Sequence, residues 1–267
     1  MALQFQGLKS PFDCILFDLD DTLYPAETGI SHATKKNIDE FLAIKCDISA
    51  ERASSLRVEL FRKYGSSLAG LIALGYDVHP DEYHSYVHGR LPYDRIASDP
   101  RLEQLLDSIP QPKILFTNSD RQHVTRALAR LGIQEACFDQ TICFETMNPH
   151  LFEETKDAIS TSSEVVLKPS AKAVELAVCI AGFDPQRMLF LDDSERNMAM
   201  GKAVGLKTAL VGKRLKTKDT DYALENIHNL TKEVPEIWNL NRKAKEEEIE
   251  PKRSDLDAMR SPTPVEA

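Results

Sequence analysis

No stretch of the 267 residues approaches the roughly 18 to 20 consecutive apolar residues that a membrane-spanning helix needs. The opening segment MALQFQGLKSPF lacks a basic region followed by a long apolar core, so a secretory leader is not expected and a cytoplasmic location is. No run of Lys and Arg appears, and the formal net charge is -9. A chain of that balance is not expected to bind nucleic acid polymers or anionic membranes, because both demand a basic face. The five cysteines (Cys14, Cys46, Cys137, Cys143 and Cys179) form no CxxC pair and are odd in number, which points to reduced, buried thiols rather than a disulfide framework or a zinc site.

What remains is a chain with 42% hydrophobic and 28% charged residues, long enough to bury a full core and to carry a smaller inserted domain. Short apolar blocks with polar residues at their C-terminal ends read as buried parallel strands: DCILFD at 13–18, KILFTN at 113–118, MLFLDD at 188–193 and KTALVG at 207–212. Between them lie helical patterns at 121–131, 171–181 and 195–204, each followed by a glycine (Gly132, Gly182, Gly205), with Ser170 and Ser194 placed as N-caps. Alternation of this kind predicts an α/β fold with a doubly wound parallel sheet, although the strand order is not readable. From 28 to 108 the alternation stops: 31–44, 50–64, 66–74 and 80–88 look helical, with no convincing strand between them. This predicts a helical cap inserted after the first strand, over a core made of 1–27 and 109–240, where it would act as a lid. Residues 241–267 are dense in charge without apolar periodicity and read as a disordered tail.

The polar residues after the predicted strands fall on one edge of such a sheet, which collects Asp18, Asp20, Thr117, Asn118, Asp192 and Asp193. Like charges crowded at the end of a buried strand repel unless a cation or a shared proton relieves them. An all-oxygen set with open positions suits Mg²⁺, which keeps several waters and takes one or two carboxylates together with a substrate phosphate. Taken singly, each residue has an ordinary structural explanation in caps and turns; Asp21 in particular reads as a cap or a supporting hydrogen-bond partner.

In combination the motifs FDLDDTL, LFTNSD, LKPS and FLDDS, the last followed by Asn197, resemble those of the haloacid dehalogenase-like hydrolase superfamily over 13–238. The resemblance implies a Rossmann-like core with Asp18 as the nucleophile that becomes an aspartyl phosphate and Asp20 as general acid and base. It further implies that Thr117 and the Asn118 amide hold phosphoryl oxygens and that Lys168 neutralises charge between Asp18 and the phosphoryl group. Magnesium would then sit on the Asp18 carboxylate, the Asp20 carbonyl and Asp193, with Asp192 a further ligand or a supporting partner; which of the pair touches metal stays open. The superfamily's dehalogenases lack the second Asp and its ATPases carry Thr there, so Asp20 favours phosphomonoester chemistry.

FDLDDTLYP, the insert's YGSSLAGL and ICFETMNP resemble, more narrowly, the pyrimidine 5'-nucleotidase-like branch and its plant members. That resemblance implies a small-molecule phosphate monoester as partner, a nucleoside 5'-monophosphate of a pyrimidine or of xanthosine, hydrolysed with Mg²⁺. Cap residues that could face it are Tyr64, Ser66, Ser67, His79, Tyr83, His84, His88 and Arg90, of which Ser67, His88 and Arg90 are the chosen substrate contacts. A sugar-phosphate phosphatase or a phosphomutase is the alternative, a binding protein without turnover is a distant third, and oligomeric state, a homo-oligomer included, is left open.

Overall fold

The computed structural model describes residues 9–152 and 164–239; the expected tail at 241–267 lies outside the described residues. The elements run β1 (Cys14–Phe17), α1 (Ile30–Cys46), α2 (Ala50–Tyr64), α3 (Ser67–Ala73), α4 (Pro80–Val87), α5 (Pro100–Ser108), β2 (Lys113–Phe116), α6 (Arg121–Leu131), β3 (Gln140–Ile142) and α7 (Phe144–Met147). They continue through α8 (Ala171–Ala181), β4 (Met188–Asp192), α9 (Glu195–Val204), β5 (Lys207–Val211), β6 (Tyr222–Leu224) and α10 (Leu230–Glu233).

All six strands are parallel, in the order β3-β2-β1-β4-β5-β6. The predicted parallel α/β sheet is therefore present, with β1 in the middle, Leu16 set between Ile114 of β2 and Phe190 of β4. Successive residues of a strand point to opposite faces. Accordingly Ile15, Phe17, Leu115, Leu189 and Leu191 enter one core cluster, and Cys14, Leu16, Ile114, Phe116, Met188 and Phe190 enter the other. Burial on both faces is why these strands read as unbroken apolar runs.

The caps expected from sequence are formed. Ser170 accepts from the Ala173 N–H and Ser194 from the Asn197 N–H, while Gly132, Gly182 and Gly205 close their helices in the left-handed region. Two strands escaped the sequence reading. β3 and β6 are three-residue edge strands with no apolar block to mark them.

Between β1 and β2 the described residues form the helices α1 to α5 and no strand. Phe41, Leu42, Ala53, Leu60, Leu68, Tyr83 and Val87 of α1 to α4 pack in the cluster that holds Leu16 and Phe116, and the Asn37 amide of α1 donates to the Val87 carbonyl of α4. Leu102 and Leu106 of α5 instead join the cluster on the other face, with Leu128, Ile227 and Leu230. All five cysteines are free thiols; Cys14 and Cys143 are buried, Cys46 and Cys137 half-buried and Cys179 exposed, so burial holds for two of them only. Burial pushes the Cys14 thiol up to about 12, which leaves it protonated and inert.

The α2–α3 contact depends on a missing side chain. A Cβ on Gly70 would lie 2.6 Å from Leu60 Cδ2 and 2.9 Å from Leu60 Cβ. Gly70→Ala should overpack this contact and destabilise the fold by about 1–3 kcal/mol. A thermal melt at or above the wild-type temperature would show that the helices can part without loss.

Candidate active site

The site is assembled where β1, β2 and β4 end. Asp18 follows β1 directly and is buried, as are Leu19 and Leu23 beyond it. The chain then turns tightly, with the Leu23 N–H donating to the Leu19 carbonyl and Asp21 at φ +58°. Asp is one of the few L-residues that tolerate this region, because its short polar side chain can bond locally. Asp21 accepts from the Ser31 hydroxyl at the start of α1, the supporting role its sequence context suggested.

Lys168 is the hub. Only 3% exposed, its Nζ donates to Asp18 Oδ1 (2.7 Å), Asp192 Oδ2 (2.8 Å) and the Phe116 carbonyl (2.7 Å). Its backbone is held in turn by Asn118, whose Oδ1 accepts from the Lys168 N–H (2.8 Å) and whose Nδ2 donates to the Lys168 carbonyl (2.9 Å). The Asn118 side chain is thereby occupied in placing Lys168. Among the described residues its backbone N–H bonds no acceptor, which leaves that amide, rather than the side chain, available to one. Thr22 Oγ1 donates to Asp18 Oδ2 (2.8 Å), so each oxygen of Asp18 is steered.

Burial works against the ammonium, yet the charges of Asp18 and Asp192 outweigh it and raise the Lys168 pKa. Burial also pushes Asp18 up; Lys168 opposes this, while Asp192 and Asp20 add to it. One lysine does not neutralise the carboxylates around it.

Asp192 is fully buried and saturated: besides Lys168, it accepts from Asn197 Nδ2 on both oxygens (2.9 Å each) and from the Ser194 N–H (2.8 Å). Among the described residues the neighbouring Asp193 carboxylate is met by its own backbone N–H and by no donor of another residue. Burial, Asp192 and Asp21 push Asp193 up to about 7. Asp18, Asp192 and Asp193 each bring a carboxylate oxygen within 4.8 Å of the others. Hard oxygen donors, net negative charge and a carboxylate that no other residue bonds fit a divalent cation such as Mg²⁺.

Asp20 lies in a different web. Its Oδ1 accepts from His123 Nε2 (2.7 Å) and from the Tyr24 hydroxyl, and its Oδ2 accepts from Ser119 Oγ (2.8 Å), with Thr117 Oγ1 at 3.5 Å. Burial pushes this carboxyl up, but the His123 charge and the hydrogen bonds from His123, Tyr24 and Ser119 more than reverse it, and Asp20 is held well below the usual range. Tyr24 and Ser119 lie within the quoted motifs, which assign them no role, and no pattern marks His123. His123 falls on the apolar face of α6 with Val124 and Leu128, where periodicity alone reads as core.

Beside Asp20, lined by residues of α1 to α4, lies a cavity of about 500 Å³. Of the expected cap contacts, Ser66, Ser67, Tyr83, His84 and His88 line it, together with Asn118 and Ser119 from the core. Arg90 is not brought there: it is half-exposed, pairs with Glu40 (3.0 Å) and lies over the Tyr86 ring. Tyr64 and His79 are outside the cavity as well. Ser31, Thr34, Lys35, Arg57, Phe61 and Phe144 line it without having been anticipated, because single polar residues on amphipathic helices carry no sign of which faces a cavity. His88 bonds Asp120, the N-cap of α6, so the end of α4 is tied to the core beside the site.

Comparison with known proteins gives the family and the fold. The family of haloacid dehalogenase-like hydrolases matches residues 12–205, and the chain belongs to that family. Phosphate metabolism protein 8 of Saccharomyces cerevisiae is 26% identical over 220 residues, a match that takes in 79% of this chain but only 64% of the yeast protein. Among solved structures, CbbY from Rhodobacter sphaeroides, in complex with phosphate, is 19% identical with a TM-score of 0.52, covering 82% of this chain and 96% of that one. The hydrolase YfnB from Bacillus subtilis, bound to magnesium, is 15% identical with a TM-score of 0.51, covering 83% and 97%. At such identities the two structures speak for the fold.

Lys168→Met would leave Asp18 and Asp192 buried without their shared cation. It should lower stability by about 3–5 kcal/mol in chemical denaturation, and an unchanged midpoint would mean that the site already relaxes around the loss. His84 offers a pH test away from the carboxylates. Burial, with His88 adding to it, lowers its pKa from 6.5 to about 3, and Asp120 only partly opposes this. Between those values the unfolded chain binds the extra proton, so stability falls as pH drops through the window. His84→Leu should therefore reduce the loss of stability between pH 6.5 and 5 by about 2 kcal/mol, read from urea denaturation at each pH. An identical slope in the variant would show that His84 already protonates in the folded state.

Proposed function

We propose that this hydrolase is a Mg²⁺-dependent phosphoric monoester hydrolase of the 5'-nucleotidase type, acting on a nucleoside 5'-monophosphate. The observation that carries the reading is the pair of carboxylates on one turn. Asp18 is aimed by Lys168 and Thr22, and Asp20 is held apart from it in a separate hydrogen-bond web. Two carboxylates in two environments permit two roles.

In this reading the substrate enters as its monoanion and passes its proton to the ionised Asp20; an Asp18 oxygen then attacks phosphorus while the ester oxygen departs with that proton, leaving an acyl phosphate on Asp18. Asp20 then takes a proton from water, whose oxygen attacks phosphorus; the P–O bond to Asp18 breaks and inorganic phosphate is released. Lys168, the Thr117 hydroxyl and the Asn118 backbone N–H face the oxygens on which charge grows. Asp18, Asp193 and the Asp20 carbonyl would hold the cation, with Asp192 supporting through Lys168 and Asn197; the bound cation supplies charge neutralisation and orients the phosphoryl group. Alkyl leaving groups need the acid, and phosphate-monoester hydrolysis is slow enough that accelerations reach on the order of 10²¹.

The substrate class rests on the cavity. Its volume lies within the range of small-molecule sites, and Tyr83, Phe61 and Phe144 offer rings to a base while Ser66, Ser67 and Lys35 offer donors. On this reading 28–108 form the lid and 1–27 with 109–240 the core. The phosphate held by CbbY, the magnesium of YfnB and the phosphate metabolism of the yeast relative are compatible with it. No helix among the described residues is long and apolar enough to cross a membrane, compatible with a cytoplasmic enzyme.

Phosphate release should be measured with MgCl₂ across purine and pyrimidine monophosphates, XMP included, and sugar phosphates. One nucleotide is expected well ahead of the rest, with activity lost in EDTA, restored by Mg²⁺ and absent in Asp18→Asn. A sugar phosphate in the lead would overturn the nucleotide assignment. Full activity in EDTA would overturn the metal.

A further inference from the structure

His123 is 1% exposed on α6, among Val124, Ala127 and Leu128, in a place where leucine would pack. An imidazole buried there is unfavourable unless its nitrogens are bonded. Both are: Nε2 meets Asp20 Oδ1 at 2.7 Å, and Nδ1 meets the Tyr93 hydroxyl at 2.8 Å. A third ring closes the set, since His88 lies 4.8 Å away, tilted by 43°.

Asp20 has two other close donors, and they differ in kind. Ser119 offers a hydroxyl that can rotate, and Tyr24 stands on the same loop as Asp20 and moves with it. His123 is a rigid ring on a core helix, fixed at its far edge by a residue from the chain that returns from the cap. We propose that His123 is a positioning residue for Asp20: it sets the plane of that carboxylate through one ring nitrogen while Tyr93 locks the ring through the other. Asp20 acts only if its oxygen meets the leaving-group oxygen and later the water, so a carboxylate free to turn would lose rate where a proton must be moved. The inference rests on reading Asp20 as acid and base.

The test separates leaving groups. Uridine 5'-monophosphate releases its nucleoside as an alkoxide and needs the acid; 4-nitrophenyl phosphate releases a stabilised nitrophenolate, and its first half-reaction, followed as a burst of that anion, does not. His123→Leu should lower kcat on the nucleotide about 100-fold with KM little changed, and should lower the burst rate less than about fivefold. His123→Gln keeps an N–H toward Asp20 and a polar atom toward the Tyr93 hydroxyl, and should recover most of the nucleotide rate. Added to Asp20→Asn, His123→Leu should cost nothing further. Should the Leu variant not fold, Tyr93→Phe removes only the ring's anchor and is expected to give the same leaving-group pattern at smaller amplitude. Equal losses on both substrates, no recovery in Gln, or a full further loss on top of Asp20→Asn would overturn the proposal. Wild-type nucleotide turnover in Asp20→Asn would instead sink the acid-base reading itself. An impaired Asp20→Asn beside an unimpaired His123→Leu would sink this inference alone.

Discussion

A single ammonium, buried between two aspartates at the ends of neighbouring strands, is what the rest of the site depends on. Removing Lys168 from water is unfavourable unless its three hydrogen bonds are all met, and they are met by β1, β2 and β4 together through Asp18, Phe116 and Asp192. That requirement fixes where the loop before α8 must pass. Asn118 enforces it by gripping the Lys168 backbone with both ends of its amide. The parallel sheet brings the charges to one edge, and Lys168 stops them from separating.

Charge on that edge is sorted by partner as well as by position. Asp192 is spent on structure, with every oxygen bonded; Asp193 is left open; Asp18 is aimed; Asp20 is drawn aside by His123, Tyr24 and Ser119. The four carboxylates are alike in sequence and unlike in the fold. Their division of labour comes from neighbours that arrive from α6, the β2–α6 loop and α9.

Strands buried on both faces and helices that end on glycine announced themselves in the sequence, because continuous apolar blocks and C-terminal glycines have direct physical causes. Asp18, Lys168 and the aspartate pair could be placed from motif order alone. The edge strands Gln140–Ile142 and Tyr222–Leu224 could not, since three residues, part-exposed, leave no pattern. Arg90 looked suited to an anion in sequence, but its stem and charge are taken up by Tyr86 and Glu40 on the cap surface. His123 failed in the opposite direction, hidden as one more core position of α6 until the fold set its ring against Asp20. A helical period tells which face is inside, not which inward residue meets a polar group from a distant loop.

The order of the sheet has a consequence for how the chain comes together. β1 is central, yet both its neighbours are made from much later sequence, and the lysine that balances Asp18 lies 150 positions on. Contacts between such distant segments are slow to form, because long loops must close before they are rewarded. During synthesis Asp18 and Asp20 therefore emerge with Thr22 and Tyr24 but without Lys168, Ser119 and His123, and stay solvated while α1 to α4, whose contacts are local, can already condense. The strand edge that gathers these charges is thus among the last parts of the molecule to exist, and a chain that holds its Lys168 between two aspartates has, by that fact, finished folding its centre.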